Sequence, residues 1–145
     1  MSQRLERYRE WLHSRELRFG FADEIADYAL RSKITAHNDV PPVDMWHAIL
    51  PTVALLEKVR ERFGPTTITS AYRAPVYNAA IGGERMSWHM RNVAIDFTCG
   101  TGTPEAWHAF LVELRNDGAF KGGLGLYRTF VHVDTRGVNA DWRGS

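Results

Sequence analysis

Two histidines and one aspartate are the residues of this chain whose types and spacing best suit metal chemistry. His89 and Asp96 lie seven positions apart, and His132 lies in an alternating segment further along the chain. Together they offer two neutral imidazoles and one carboxylate, and three protein ligands completed by a water are the usual composition of a catalytic zinc site. The sequence therefore suggests a zinc site at His89, Asp96 and His132. The alternative is that each histidine is an ordinary hydrogen-bonded core or surface residue.

Two predicted strands would position these residues. Apolar side chains alternate with others over residues 93–97, which is typical of a half-buried strand and places Asp96 opposite the apolar face. Residues 130–136 alternate in the same way, so His132 and Asp134 share one face. The spacing therefore predicts two strands that present polar side chains to a common site.

The other elements follow from apolar periodicity, helix caps and turn residues. Pro51 lies inside the third helical pattern and predicts a break near Ile49. The order of elements fits an α+β fold, in which helices cover one face of a small, mainly antiparallel sheet and a zinc cleft occupies the other. The predicted helices span about residues 2–14, 23–30, 44–63 and 104–116, a long loop spans 71–86, and further strands lie near 66–70 and 122–127.

Five motifs occur in order within about residues 38–142, a region that makes up most of the chain. In order, they are Ser70–Asn78, Gly82–Gly83, Ser87–Asp96, Gly122–Tyr127 and a strand that contains His132-Val133-Asp134. This series resembles the zinc D-Ala-D-Ala carboxypeptidase family, peptidase family M15, and within it a subgroup with a terminal strand of sequence HVDTRG. The resemblance implies a hedgehog/DD-peptidase-like fold and a zinc metallopeptidase that acts on the peptidoglycan of cell walls.

The resemblance also assigns roles to individual residues. It implies that His89, Asp96 and His132 hold Zn2+. Arg73 matches the arginine that binds the substrate carboxylate in the family, a task that suits a guanidinium because it forms two parallel hydrogen bonds with a carboxylate. Arg73 is therefore predicted as a catalytic and substrate-binding residue, and Ser87 matches a serine beside the substrate. The implied substrate is a peptidoglycan stem peptide, cut at its terminal D-Ala-D-Ala bond or at an internal or crosslinking bond.

Two positions depart from the family pattern. Asn92 stands where many relatives carry glycine, a mild change because asparagine also adopts positive φ. Thr129 stands where better-known relatives carry an acidic general base, and a threonine hydroxyl cannot take a proton from water. Asp134 is then the candidate catalytic base, since it shares a strand face with His132. Its alternative role is to orient a ligand histidine.

Two interpretations without catalysis stand beside the peptidase. Because Thr129 cannot act as the base, the same fold could be a zinc-containing module that binds cell-wall peptide or a protein partner without cutting it. The three ligands could also form a metal clip that only stabilises the fold. Digestion of purified peptidoglycan fragments with and without a chelator separates a peptidase from both alternatives.

Length and composition restrict the class of protein. The 145 residues suit one M15-like peptidase domain over 1–145, with residues 1–35 as a helical N-terminal extension packed on it. A net charge of +1 gives no basic excess of the kind that nucleic-acid binding requires. The chain has no apolar run long enough for a membrane helix, and its single cysteine excludes an intramolecular disulfide.

The N-terminal residues carry several charges and are not expected to form a secretory signal. A peptidoglycan substrate nevertheless places the expected site of action in the cell wall or the periplasm. Export by another route, a removed signal, or release by lysis, as for phage lytic enzymes, would each reconcile the two. Neither the compartment nor the oligomeric state is therefore assigned from the sequence.

Overall fold

Side-chain caps determine where the first and last long helices begin. The helices are α1 (Gln3–Ser14), α2 (Phe21–Tyr28), α3 (Leu50–Phe63), α4 (Pro75–Ala80) and α5 (Pro104–Asn116). The computed structural model describes residues 2–145, so Met1 of the predicted domain 1–145 lies outside the described part. Ser2 accepts a hydrogen bond from the Leu5 amide at the start of α1, and Thr103 accepts one from the Ala106 amide at the start of α5.

The third predicted helix is broken near Ile49. Its first part is a 3₁₀ helix, Val43–Ile49, and α3 begins at Leu50. Pro51 lies in the first turn of α3, where its missing N–H would have no intrahelical partner. The predicted break is therefore confirmed, but the segment before it is a 3₁₀ helix rather than the α-helix that the periodicity predicts.

Five of the seven strands form one sheet. The strands are β1 (Ser32–Lys33), β2 (Ala36–His37), β3 (Thr66–Ser70), β4 (Ala94–Cys99), β5 (Gly123–Leu126), β6 (Val131–Asp134) and β7 (Ala140–Arg143). β1 and β2 form a separate hairpin, and the others are ordered β3-β4-β6-β5-β7. Neighbouring strands in this sheet are antiparallel except β5 and β7, which are parallel. The α+β fold with a small, mainly antiparallel sheet is thus confirmed.

Helices cover the apolar face of this sheet. Ile95 and Phe97 of β4 and Val131 and Val133 of β6 are fully buried in the hydrophobic core. α3 packs against β3 and β4, and α5 packs against β5 and β6. Because successive side chains of a strand point to opposite faces, the polar residues between these apolar ones lie on the other face.

The N-terminal helices contribute to the same core. Leu5, Tyr8 and Leu12 of α1 are buried at helical spacing, so one face of this helix packs inward. α1 contacts α2, and α2 packs against β3. None of the helices within residues 2–145 combines the length and the hydrophobicity needed to cross a membrane.

The two strands of the small hairpin, β1 and β2, and two further short elements, α4 and β7, are absent from the sequence prediction. α4 lies inside the predicted loop 71–86, and β7 lies in the C-terminal tail. α4 has only 6 residues, too few for a repeating apolar pattern, although Pro75 marks its first turn. β7 alternates between half-buried and exposed residues at the edge of the sheet, so its apolar signal is weak.

Candidate metal centre

One row of paired residues crosses all five strands of the sheet. Ser70 pairs with Asp96, Asp96 with His132, His132 with Gly125, and Gly125 with Trp142. Directly paired residues project their side chains from the same face of a sheet. Gly125 has no side chain, and the Trp142 indole lies over it toward His132. The strand register therefore collects two candidate ligands and an aromatic neighbour on one face.

The structure brings His89, Asp96 and His132 together. Asp96 Oδ1 lies 3.2 Å from His89 Nε2 and 2.9 Å from His132 Nδ1. One donor atom from each residue lies within 4.8 Å of the other two, and all three side chains are buried. Two strands and the turn that carries His89 thus place three donor atoms close enough to share one ion.

A 3₁₀ turn, Trp88–Arg91, holds His89 in this position. The Ser87 hydroxyl caps the turn by accepting a hydrogen bond from the His89 amide, and Asn92 ends it with a φ of 59°. His89 Nδ1 donates a hydrogen bond to the Ala71 carbonyl oxygen over 2.8 Å. That bond fixes the tautomer of the neutral ring, so the lone pair of Nε2 faces the site.

Asp134 orients His132 from the side away from Asp96. Asp134 Oδ2 accepts a hydrogen bond from His132 Nε2 over 2.7 Å, which leaves His132 Nδ1 facing Asp96. The Asp134 carboxylate also accepts hydrogen bonds from the Gly123 amide and from the amide and guanidinium of Arg136. In both histidines, the ring nitrogen that faces away from the site is therefore hydrogen-bonded to another part of the protein.

Burial and neighbouring charges set the ionisation of the three side chains. Burial lowers the pKa of His89, which favours the neutral imidazole that a metal requires. Burial alone would raise the pKa of Asp96, but the two adjacent histidines outweigh it and lower that pKa, so the carboxylate is ionised. Burial would lower the pKa of His132, whereas hydrogen bonds with Asp134 and Asp96 outweigh burial and raise it.

This set of donors fits a metal ion. Two imidazole nitrogens and one carboxylate oxygen face inward, and the outer nitrogens are anchored on the Ala71 carbonyl and Asp134, as is typical of histidines that ligate zinc. A closed structural site usually has four protein ligands. Within residues 2–145 no further histidine, cysteine, aspartate or glutamate joins the group. Three ligands leave a position for water or substrate, as in a catalytic site.

Comparison with known proteins identifies the family. A family model described as Peptidase M15 matches residues 22–134, most of the chain. The chain belongs to the Peptidase M15 family. Members of this family are metal-dependent peptidases, so the family resemblance drawn from the motifs is confirmed, while the subgroup stays a prediction. No curated protein and no solved structure matched the chain.

The M15 match does not include every element of this chain. It begins within α2 and ends at Asp134, so it contains the three candidate ligands and Arg73. α1 and β7 lie outside it. Trp142 of β7 nevertheless lines the cleft, and Tyr8 of α1 lies beside Asn92, which ends the turn that carries His89.

A cleft of about 530 Å³ opens beside the ligands of this M15 peptidase. Both residues that the sequence places near the substrate, Arg73 and Ser87, line it. Arg73 Nε donates to Ser70 Oγ over 3.1 Å and Nη1 donates to Asn78 Oδ1 over 3.2 Å, while Nη2 lies 3.5 Å from Asp96 Oδ2. The remaining N–H groups of the guanidinium form no hydrogen bond within residues 2–145 and are available to a bound carboxylate.

The position of Asp134 favours an orienting role over that of a base. Its side chain has no exposed surface and does not line the cleft. Burial alone would raise the pKa of Asp134, but hydrogen bonds from His132, Arg136 and Gly123 outweigh burial and lower it. A carboxylate held in this way has no lone pair directed at a substrate and binds protons weakly. Thr129 is exposed and lies outside the cleft wall.

Other residues of the cleft are not assigned by the sequence analysis. Glu84 lines the cleft, and besides Asp96 it is the only carboxylate of residues 2–145 that does so. The Arg136 guanidinium lies between two indoles, with its central carbon 4.7 Å from the Trp88 ring centroid and 5.2 Å from that of Trp142. The glycines of the run 122–126 are the signal that could have indicated this aromatic wall, because they leave room for Trp142.

Proposed function

We propose that this M15 family member is a zinc peptidase that hydrolyses peptide bonds in peptidoglycan stem peptides, as a D-Ala-D-Ala carboxypeptidase or a murein endopeptidase. The observation that carries the proposal is the convergence of His89, Asp96 and His132 beside an open cleft. In both histidines a hydrogen bond at the ring nitrogen that faces away from the site fixes the ring. Such a ligand set with an open position is typical of catalytic zinc. The proposed site of action is the cell wall or periplasm, where this substrate occurs.

The zinc ion would be held by His89 Nε2, Asp96 Oδ1 and His132 Nδ1. Zinc in such a site lowers the pKa of a water molecule to about 7 and polarises a carbonyl group. Hydrogen bonds to the Ala71 carbonyl and to Asp134 hold the two imidazoles in the orientation that a metal ligand requires. The ionised Asp96 supplies the negative charge that the cation requires, because the lowered pKa keeps this carboxylate deprotonated at neutral pH.

Arg73 would hold the free carboxylate of the substrate. Its guanidinium is fixed by Ser70 and Asn78 and lies beside the candidate ligand Asp96. A carboxylate that accepts two hydrogen bonds from it would therefore lie next to the ligands, with the preceding peptide bond over them. Ser87 also lines the cleft, although its hydroxyl caps the turn of His89.

We assign Glu84 as the general base, the residue that accepts the proton of the attacking water. A base must lie in the cleft and must be ionised near neutral pH. Asp134 is buried away from the cleft, and Asp96 is engaged by both histidines. Glu84 lines the cleft and is exposed, so its carboxylate can reach solvent and substrate.

Mass spectrometry of digested muropeptides tests the proposal and identifies the bond. The zinc-loaded protein is expected to cleave, whereas chelator-treated protein and the His89→Ala variant should not. His37→Ala is the matched control, because this exposed histidine of β2 lies outside the cleft. Cleavage by metal-free protein, or full activity of His89→Ala, would overturn the proposal.

A second candidate function is a non-catalytic zinc module that binds cell-wall peptide or a protein partner. The threonine at position 129, where an acidic base is expected from the better-known relatives, favours it. Such a module would bind zinc and stem peptide but release no product from any muropeptide. If zinc only raised the melting temperature, without peptide binding or cleavage, the three ligands would form a stabilising clip instead.

A further inference from the structure

The Tyr127 hydroxyl carries a proton that the protein itself does not use. Trp142 Nε1 donates a hydrogen bond to the Tyr127 hydroxyl oxygen over 3.0 Å. An indole N–H can only donate, so the tyrosine oxygen is the acceptor and its own O–H is directed elsewhere. This O–H forms no hydrogen bond with any residue of the described range 2–145, and Tyr127 lines the cleft. It is therefore a donor available to a ligand.

This hydroxyl is linked through Trp142 to the candidate ligand His132. Trp142 Nε1 lies directly over Gly125, where a β-carbon would be only 2.5 Å from the nitrogen. Gly125 is paired with His132 in the sheet, and the ring centroids of Trp142 and His132 are 5.0 Å apart. The Tyr127 oxygen is thus one hydrogen bond away from a ring that contacts a candidate metal ligand.

Packing holds the Tyr127 ring in place. Phe130 stacks on it with a centroid separation of 4.3 Å and an interplanar angle of 7°. Gly144 passes so close to the ring that no side chain would fit there. A donor that is already oriented requires no reorganisation when charge develops on a substrate atom. Tyr127 therefore has the rigidity that a catalytic hydrogen-bond donor needs.

We propose that Tyr127 is a catalytic residue that stabilises the negative charge on the scissile carbonyl oxygen. Its O–H donates a hydrogen bond to that oxygen while the peptide is attacked, and the proton remains on the phenol throughout. Trp142 acts as a positioning residue, since its N–H occupies the tyrosine oxygen and so turns the O–H toward the cleft. This inference rests on the proposed peptidase function and adds a residue to it.

Tyr127→Phe tests the inference, because it removes the donor and keeps the stacked ring. The zinc-loaded variant should lose about 10²–10³-fold in kcat with little change in KM. It should also bind a phosphinate analogue of the scissile dipeptide at least about 10-fold more weakly, since the phosphinate oxygens imitate the charged state. Its zinc affinity, measured by chelator competition, and its melting temperature should match those of the wild type.

Two further variants sharpen the test. Tyr72→Phe is the matched control, since it removes a tyrosine hydroxyl outside the cleft and should leave kcat and phosphinate binding unchanged. Trp142→Phe keeps an aromatic ring but removes the N–H that orients Tyr127, while the Tyr127 hydroxyl itself remains. Its loss of phosphinate affinity should therefore be smaller than that of Tyr127→Phe. Its zinc affinity should be unchanged.

The outcomes separate this inference from the proposed function. Wild-type kcat and phosphinate binding in Tyr127→Phe, with an active wild type, would overturn the inference and leave the peptidase standing. Loss of zinc from Tyr127→Phe would also overturn it, because the residue would then be structural. If the zinc-loaded wild type neither cleaves muropeptides nor binds the phosphinate, the proposed function fails, and the role of Tyr127 fails with it.

Discussion

Asp134 Oδ2 lies 2.7 Å from His132 Nε2, and the Asp134 side chain has no exposed surface. The carboxylate is also bound by the Arg136 guanidinium, so one buried anion serves a histidine on one side and an arginine on the other. An anion at the outer nitrogen of a ligand histidine fixes the tautomer and increases the basicity of the inner nitrogen. Asp134 is therefore expected to act on the metal through His132 and not on the substrate.

The first prediction concerns Asp134→Asn. The variant should bind zinc about 10–100-fold more weakly, because an amide is a poorer partner for the His132 N–H. Its free energy of unfolding should fall by roughly 3 kcal/mol, since the largely buried Arg136 loses its anionic partner. Chelator competition and urea denaturation measure the two effects.

A matched control for this prediction is Asp27→Asn. It also breaks an aspartate–arginine pair, with Arg9, but the aspartate is exposed. Its unfolding free energy should change by less than about 1 kcal/mol, with zinc affinity unaltered. If Asp134→Asn bound zinc like the wild type but had lost all turnover, Asp134 would be the base after all.

The second prediction concerns Arg73→Lys. A lysine cannot offer two parallel hydrogen bonds, so KM for a peptide with a free C-terminal carboxylate should rise at least about 10-fold. A C-terminally amidated peptide should be a poor substrate of the wild type and should be affected much less by the change. Arg91→Lys, at an exposed arginine outside the cleft wall, is the control. Equal cleavage of acid and amide by the wild type would indicate an endopeptidase that needs no carboxylate anchor.

The candidate ligands are predictable from the sequence because strand alternation decides which face a side chain takes. Asp96 and His132 each interrupt an apolar alternation, and that pattern alone puts them opposite the core. Their pairing with Ser70 and Gly125 depends on the strand register, which includes a bulge near the end of β3. A short turn can fix the register of the strands that it joins, but β3 and β4 are far apart in the chain, so no turn sets their pairing.

The burial of Asp134 and the position of Trp142 are harder to predict. Alternation places Asp134 on the same face as His132, which suggests access to the cleft. In the fold, Gly123 has no side chain and Arg136 returns over the strand, so the carboxylate is enclosed. Trp142 reaches the site because β7 adds to the sheet edge beside β5, a pairing that its weak alternation does not indicate.

The third prediction concerns Glu84→Gln. If Glu84 accepts the water proton, kcat should fall about 10²–10⁴-fold. Zinc affinity should stay at the wild-type level, since Glu84 is not among the grouped ligands. Glu10→Gln, on the exposed side of α1, provides the control. A variant that keeps its activity would exclude Glu84 as the base.

The fourth prediction connects α1 with the turn that carries His89. The Tyr8 hydroxyl and Asn92 Oδ1 are both buried, and neither forms a hydrogen bond within residues 2–145. Burial raises the pKa of Tyr8, and the adjacent Asn92 side chain partly offsets that rise. A buried donor beside a buried acceptor is stabilised by pairing, since leaving either group unpaired costs about 1–3 kcal/mol. We therefore expect Tyr8 to donate to Asn92.

A double-mutant cycle of Tyr8→Phe and Asn92→Gly measures this pairing. Each single change should lower the unfolding free energy, and the pair should show a coupling energy of about 0.5–3 kcal/mol. Glycine is the suitable replacement because it adopts the positive φ of Asn92. Strictly additive effects in urea denaturation would show that the two side chains are independent.

The fifth prediction is a pH dependence that arises at Glu24. Glu24 Oε1 accepts a hydrogen bond from the Ile68 amide, and burial raises the pKa of this half-buried carboxyl despite that bond. The folded state therefore holds its proton to a higher pH than the unfolded state does. The stability that this proton contributes is complete below the unfolded pKa and is lost as the pH rises through the folded pKa.

Glu24→Gln keeps an oxygen for Ile68 and does not ionise, so its unfolding free energy should rise relative to the wild type between pH 4 and pH 7 in urea denaturation. A difference between the two proteins that is constant with pH would show that Glu24 has the same pKa in both states.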